Sequence, residues 1–267
     1  MKIVRTRNES GCIVYAKEVA ADEALLIEGD IFGDYEVTGQ RIPIRQRLAP
    51  IHASLVIGIA QNYREHALEM GSPLPEHPVF FIKMPHCVIA AGEPVQLPRS
   101  LRSNKVDFEA ELAVVIGKTC RNATIENALD HVLGYTAAND VSARDWQKEW
   151  GGGQFCRGKG FDTFCPLGPH LVTREDIPDP GKLPIRGYLN GDLMQDGHTS
   201  DLIFSIPELI RFLSGSTTLP AGTVILTGTP SGVGAARKPP RFLQPDDKYS
   251  VEIEGIGALT NPVVEEL

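Results

Sequence analysis

Val106-Asp107-Phe108-Glu109-Ala110-Glu111-Leu112-Ala113-Val114-Val115-Ile116-Gly117 is the stretch whose reading decides the fold. As a β-strand it places Asp107, Glu109 and Glu111 on one face and Phe108, Ala110 and Leu112 on the other. Its second half is apolar on both faces, the pattern of a strand buried in the interior. Like charges beside a buried strand repel one another and are costly to desolvate unless something neutralises them. A hard divalent cation with oxygen ligands is the simplest neutraliser. From this segment alone, an edge strand with a solvated acidic face remains the alternative.

Around that strand the chain has the composition of a globular protein. It has 267 residues, 42% hydrophobic and 22% charged, enough for a substantial core. The 20 prolines and 26 glycines imply many turns between short strands, so the expected class is β-rich α+β rather than a helical bundle. A net charge of −8, spread along the chain, argues against nucleic acid, which calls for a basic face. No run approaches about 20 apolar residues, so no membrane span is expected. The first residues lack a secretory pattern. Five cysteines without a Cys-x-x-Cys pair read as free thiols, and the expected location is the cytoplasm.

Residues 1–50 read as a small β-rich N-terminal lobe, and 51–267 as the main body. Strands are expected over 54–60, 79–83, 106–117, 134–141, 185–190, 223–227 and 249–253. Helices are expected over 61–70, 124–133 and 205–213, with a helical turn over 143–149.

Several constellations carry chemistry. Asp140, in Asn139-Asp140-Val141-Ser142-Ala143-Arg144-Asp145, ends a strand and can supply a third oxygen to an ion held by Glu109 and Glu111; alone it reads more readily as a turn residue, and its weight comes from the combination with the Glu pair. Magnesium keeps several waters and takes few protein carboxylates, so three such ligands leave room for substrate oxygens. His66 and Glu69 stand at i and i+3 of one helix, where a carboxylate orients an imidazole as a general base, although surface pairs of this spacing are common. Gly153-Gln154-Phe155-Cys156-Arg157-Gly158-Lys159-Gly160 approaches a phosphate-binding loop but lacks the final hydroxyl and the preceding strand, so nucleotide binding is rejected. Lys159 is kept as a group that could reach a developing oxyanion. The loop Leu226-Thr227-Gly228-Thr229-Pro230-Ser231-Gly232-Val233-Gly234 offers amides and hydroxyls to a carboxylate, or is an ordinary turn.

Taken in order, these pieces resemble the fumarylacetoacetate hydrolase family. The resemblance runs from about residue 54 to the end. It rests on Asn62-Tyr63-x-x-His66-x-x-Glu69, Phe81-Ile82-Lys83, Glu109-Ala110-Glu111 with the apolar run after it, Asn139 to Asp145, Lys159-Gly160-Phe161-Asp162-Thr163 and the 226–234 loop. Within the family, Phe161 to Pro169 and Arg237-Lys238-Pro239-Pro240 are most similar to the branch of fumarylacetoacetate-hydrolase-domain proteins and 2-hydroxyhepta-2,4-diene-1,7-dioate isomerase-like proteins. Ala60 departs from the glycine usual before Asn-Tyr. The resemblance implies a mixed β-sandwich roll with a small N-terminal lobe, usually a homodimer. It further implies Mg2+, with Mn2+ or Ca2+ as alternatives, held by Glu109, Glu111 and Asp140. His66 and Glu69 would be the water-activating dyad on a lid, Lys159 and Gln147 would contact the oxyanion or a polar end, and Thr229 would hold a carboxylate. Tyr63 and Arg144, inside the same motifs, join Gln147 and Thr229 as substrate-binding candidates. The implied substrate is a 2-oxo (di)carboxylic acid, handled through a metal-stabilised enolate. Hydrolytic C–C cleavage stands first, with isomerisation, tautomerisation or decarboxylation next, and a non-catalytic dicarboxylate- and metal-binding protein last.

Overall fold

A computed structural model describes all 267 residues. Its backbone is a large twisted sheet packed against a smaller one, the β-rich α+β class expected from the sequence. In spatial order the large sheet runs Tyr35–Pro43, Glu23–Gly29, Ile13–Ala20, Lys2–Arg7, Cys165–Thr173, Val132–Asn139, Ala110–Ile116, Thr223–Leu226, Leu55–Ala60 and Val79–Lys83. All neighbours along this path are antiparallel except Thr223–Leu226 with Leu55–Ala60. The second sheet orders Asp192–His198, Pro184–Leu189, Lys248–Ile253, Gly257–Glu265 and Val95–Leu97. One continuous apolar core joins the two layers, and Phe108 stacks on Tyr249 across them at 4.6 Å. No helix is long and apolar enough to cross a membrane.

Residues 1–50 extend the large sheet instead of standing apart from it. Lys2–Arg7 pairs with Cys165–Thr173, and the terminal ammonium binds Asp176 and Thr173. The segment keeps a small apolar cluster of its own, Val4, Ala16, Ala24 and Ile42, while Ile3, Ile27 and Ile31 belong to the main core.

Helix Ile206–Ser214 follows the expectation for 205–213, with Ile206, Leu209, Ile210 and Leu213 buried at i, i+3, i+4 and i+7. Ser205 donates to Glu208 at its first turn through both backbone N–H (2.8 Å) and Oγ (2.6 Å).

Two expected elements differ. The helix expected over 124–133 is reduced to one tight turn, Ala128–His131, and Val132 already begins a strand. Asn127 Oδ1 accepts the Thr124 N–H at 2.8 Å, a local side-chain turn that competes with helical bonding. The acidic strand is also broken in two, Val106–Asp107 and Ala110–Ile116. At the break, Asn139 Oδ1 takes the Glu109 N–H (3.0 Å) and Glu109 C=O takes the Asp140 N–H (2.9 Å). A side-chain amide thus replaces one rung of the ladder.

Candidate active site

That break is where the site forms. The Asn139 rung and the Asp140 N–H tie two carboxylate-bearing segments side by side, so Glu109, Glu111 and Asp140 converge with oxygens within 4.8 Å of one another. All three are buried. Glu111 is fixed by the Gly228 N–H at 2.7 Å. Gly228 has φ +101°, and a Cβ there would stand 2.9 Å from the Asn62 Cβ, so glycine is required for the loop to present this donor.

Cations surround the cluster unevenly. Lys159 Nζ bridges Glu109 and Asp140 at 2.7 Å each, and Lys83 Nζ binds the other Asp140 oxygen at 2.6 Å. Arg144 spans Asp107 (2.8 Å) and Glu109 (2.7 Å) and donates to Gln147 Oε1 at 3.0 Å. Asp107 does not join the triad. It holds Arg144 and accepts the N–H groups of Phe108, Gly234 and Ala235, so its neutralisation is complete without an ion.

Four buried carboxylates face three buried cations, leaving one formal negative charge with no ion-pair partner, on Glu111. Burial pushes the Glu109 carboxyl up, but the charges of Lys159 and Arg144 outweigh it and hold it down to about 2. Burial pushes Glu111 well above the usual carboxylate range, and the neighbouring Asp140 and Glu109 charges push it further. A dry three-carboxylate set lacking one positive charge is the donor chemistry of a hard divalent cation.

Over the triad lies a cavity of about 70 Å3 lined by His66, Glu109, Glu111, Arg144, Gln147, Lys159 and Thr229, with Ile59, Phe81 and Phe155 as apolar walls. Ligand sites for drug-sized molecules are ~300–1,000 Å3, so this one suits a small acid. A larger surface cleft beside Arg99 and Arg102, of about 440 Å3, contains no converging carboxylates and offers no comparable chemistry.

His66 sits on helix Arg64–Glu69, and its Nδ1 meets Glu69 Oε2 at 3.1 Å. With Nδ1 turned to the carboxylate, Nε2 is the ring nitrogen left for proton transfer. The other Glu69 oxygen accepts the Gly232 N–H at 2.9 Å. At its start the helix is anchored by Arg64 Nη1 on Leu202 C=O (2.7 Å) and by fully buried Asn62, whose side-chain amide exchanges bonds with the Phe204 backbone and donates to Thr227 C=O. Ala60, the departure before Asn-Tyr, is accommodated on the cavity wall, and the next residue, Gln61, takes φ +53°.

Of the nominated residues, Tyr63 is not brought to the cavity. It is fully buried in the core, and its hydroxyl has no partner. Glu69 and Asp140 do not line the cavity wall: Glu69 bonds His66, and Asp140 closes the triad beneath, bonded to Lys159 and Lys83. Thr229 reaches the wall, but its single hydroxyl hydrogen is spent on Ala110 C=O (2.9 Å), so only its backbone N–H remains as a donor for a carboxylate. Sequence reasoning missed Lys83 and Gln195. Gln195 is fully buried: its Oε1 accepts from Ala110 N–H and Tyr249 OH, and its Nε2 donates to Thr229 Oγ1 and Pro230 C=O. It thereby fixes the acidic strand to the 226–234 loop.

Residues 55–264 match the family model described as fumarylacetoacetate (FAA) hydrolase C-terminal. The chain is 49% identical over 218 residues to the oxaloacetate tautomerase fahd2, mitochondrial, of Xenopus laevis, covering 81% of this chain and 68% of that protein. It is 49% identical over 210 residues to the oxaloacetate tautomerase YisK of Bacillus subtilis (strain 168), covering 78% and 69%. Among solved structures, a 5-carboxymethyl-2-hydroxymuconate delta-isomerase from Mycobacterium smegmatis superposes with a TM-score of 0.87 at 39% identity, covering 100% of both chains.

Proposed function

Because this chain belongs to the fumarylacetoacetate hydrolase family, we propose that it is a Mg2+-dependent enzyme that moves a proton between the keto and enol forms of a small 2-oxo dicarboxylic acid. The observation that carries this reading is one small cavity bringing the carboxylate triad, a lysine and a His–Glu dyad together, in a chain 49% identical to two proteins named oxaloacetate tautomerases. The sequence reading put hydrolytic C–C cleavage first; these relatives favour proton movement over it.

Glu109, Glu111 and Asp140 would hold the ion, with Mn2+ or Ca2+ as alternatives. When bound there, the ion supplies Lewis acidity to the oxygens of the 2-oxo acid. His66 Nε2 takes the proton from the carbon next to the carbonyl, the C–H electron pair becoming the enol C=C bond, and the imidazolium then gives a proton to the enolate oxygen. The ketone re-forms by the reverse steps, while Glu69 orients the ring and stabilises its protonated form. Lys159 Nζ and the free Nε2 of Gln147 donate to the oxygen on which negative charge develops. Arg144 is held by two carboxylates and keeps Gln147 in place. Tautomerisation needs no second nucleophile, so the single dyad suffices.

Hydrolysis remains the second reading because the His66–Glu69 bond is equally suited to activating a water. A product-resolved assay on oxaloacetate with Mg2+ separates them. Loss of the enol ultraviolet absorbance with conserved carbon skeleton supports tautomerisation. Oxalate and acetate appearing by nuclear magnetic resonance would instead mean hydrolytic cleavage, and pyruvate would mean decarboxylation.

Two further features belong to this reading. A reducing compartment such as the cytoplasm suits five cysteines that are all free. A homodimer is supported by Leu74, Val79 and Phe80, exposed around the edge strand Val79–Lys83. Sedimentation of the purified chain tests the dimer.

A further inference from the structure

Four lysine and arginine side chains stand in or under the cavity, and three are already committed to carboxylates: Arg144 to Asp107 and Glu109, Lys159 to Glu109 and Asp140, and Lys83 to Asp140. The fourth, Lys148, lines the same cavity and makes no ion pair or hydrogen bond. It follows Gln147 on the helical turn Trp146–Trp150, at the rim and not the floor. Its neighbour Glu149, the nearest carboxylate in sequence, is taken by Lys105. Partial burial, then the charge of Arg144, hold its ammonium below the usual lysine range, which places its head within the field of the site.

We infer that Lys148 is the specificity-determining cation that binds the carboxylate remote from the carbonyl in a 2-oxo dicarboxylic acid. This rests on the function proposed above. A 2-oxo acid group seated over the triad and beside Lys159 leaves its remaining carboxylate pointing along the cavity. Ile59, Phe81 and Phe155 offer that carboxylate nothing, and an unpaired charge against apolar walls is costly. At the rim Lys148 supplies the missing counter-charge, and because no carboxylate of the chain is paired directly with its ammonium, that head is open to a ligand.

The experiment compares wild type with Lys148→Met and Lys148→Arg in the presence of Mg2+. Oxaloacetate, which carries the remote carboxylate, is the substrate; oxalate, which ends at the triad, is the competitive inhibitor. For Lys148→Met the KM for oxaloacetate should rise about tenfold or more, the loss expected for a charge-assisted hydrogen bond, with kcat within about threefold. The oxalate inhibition constant should stay within about twofold, because oxalate does not reach the rim. Lys148→Arg should keep most of the wild-type KM. An unchanged KM in Lys148→Met overturns the inference. So does a parallel weakening of oxalate, which would mean a general distortion of the cavity. Absence of any Mg2+-dependent turnover in the wild type would remove the proposed function, and this inference with it.

Discussion

The exposed ion pairs of residues 1–50 and the buried ones of the candidate site use the same residue types in opposite ways. Among residues 1–50, Arg41–Glu23 pairs across neighbouring strands and Arg45–Glu9 joins two loops, with every side chain at least a third accessible. At the site, Arg144, Lys159 and Lys83 pair with Asp107, Glu109 and Asp140 at 8% exposure or less. Water screens the first set, and each pair is worth little. The second set has no water to fall back on, so losing one partner strands the other. Composition treats the two sets alike; burial separates them.

That contrast can be broken or sharpened by substitution. The largest effect is expected at the triad: Glu109→Gln or Asp140→Asn should abolish the Mg2+-binding heat in calorimetry and lower turnover by about a thousandfold or more. Magnesium binding that survives both changes would show that the carboxylates are neutralised by lysine alone. Next comes Asp107→Ala, which touches neither ion nor cavity. It should cost about 3–5 kcal/mol in denaturant unfolding, because Arg144 and the Gly234 and Ala235 N–H groups lose their buried acceptor. A loss under 1 kcal/mol, the surface-pair scale, would erase the distinction between the regions. His66→Ala should lower kcat roughly a hundredfold while leaving the calorimetric Mg2+ heat in place. If that variant keeps its kcat, the proton must travel by another group. The smallest effect is expected for Arg41→Ala in the lobe, about 0.2–1 kcal/mol by thermal unfolding and no change in turnover.

Much of the site was legible because its chemistry follows local patterns. Alternating Glu109 and Glu111, a strand-end Asp140 and the His66–Glu69 spacing are each visible within a few residues. What stayed hidden depends on long-range closure. Asp107 shares the alternation with Glu109 and Glu111, and nothing local says that Arg144, 37 residues later, satisfies it. The continuous strand was misjudged because Asn139, from a neighbouring strand, supplies the bond that lets the backbone break at Glu109. Lys83 had a signal that could have been used: it lies two residues after Phe81 in an apolar strand, so both side chains share an inward face. A lysine on such a face implies a buried anion. Tyr63 misled because its motif neighbours His66 and Glu69 form the bonded dyad beside the cavity, yet its own side chain turns into the core.

One short loop has a mechanical consequence. Its Gly228 N–H grips Glu111 and, four residues on, its Gly232 N–H grips Glu69. The carboxylate floor and the His66–Glu69 dyad are thereby gauged from the same piece of backbone. Any outward swing of the Arg64–Glu69 helix must first release Gly232, a charge-assisted bond worth about 1.5–3 kcal/mol. With both bonds made, one loop sets the spacing between the His66 imidazole and the buried carboxylates.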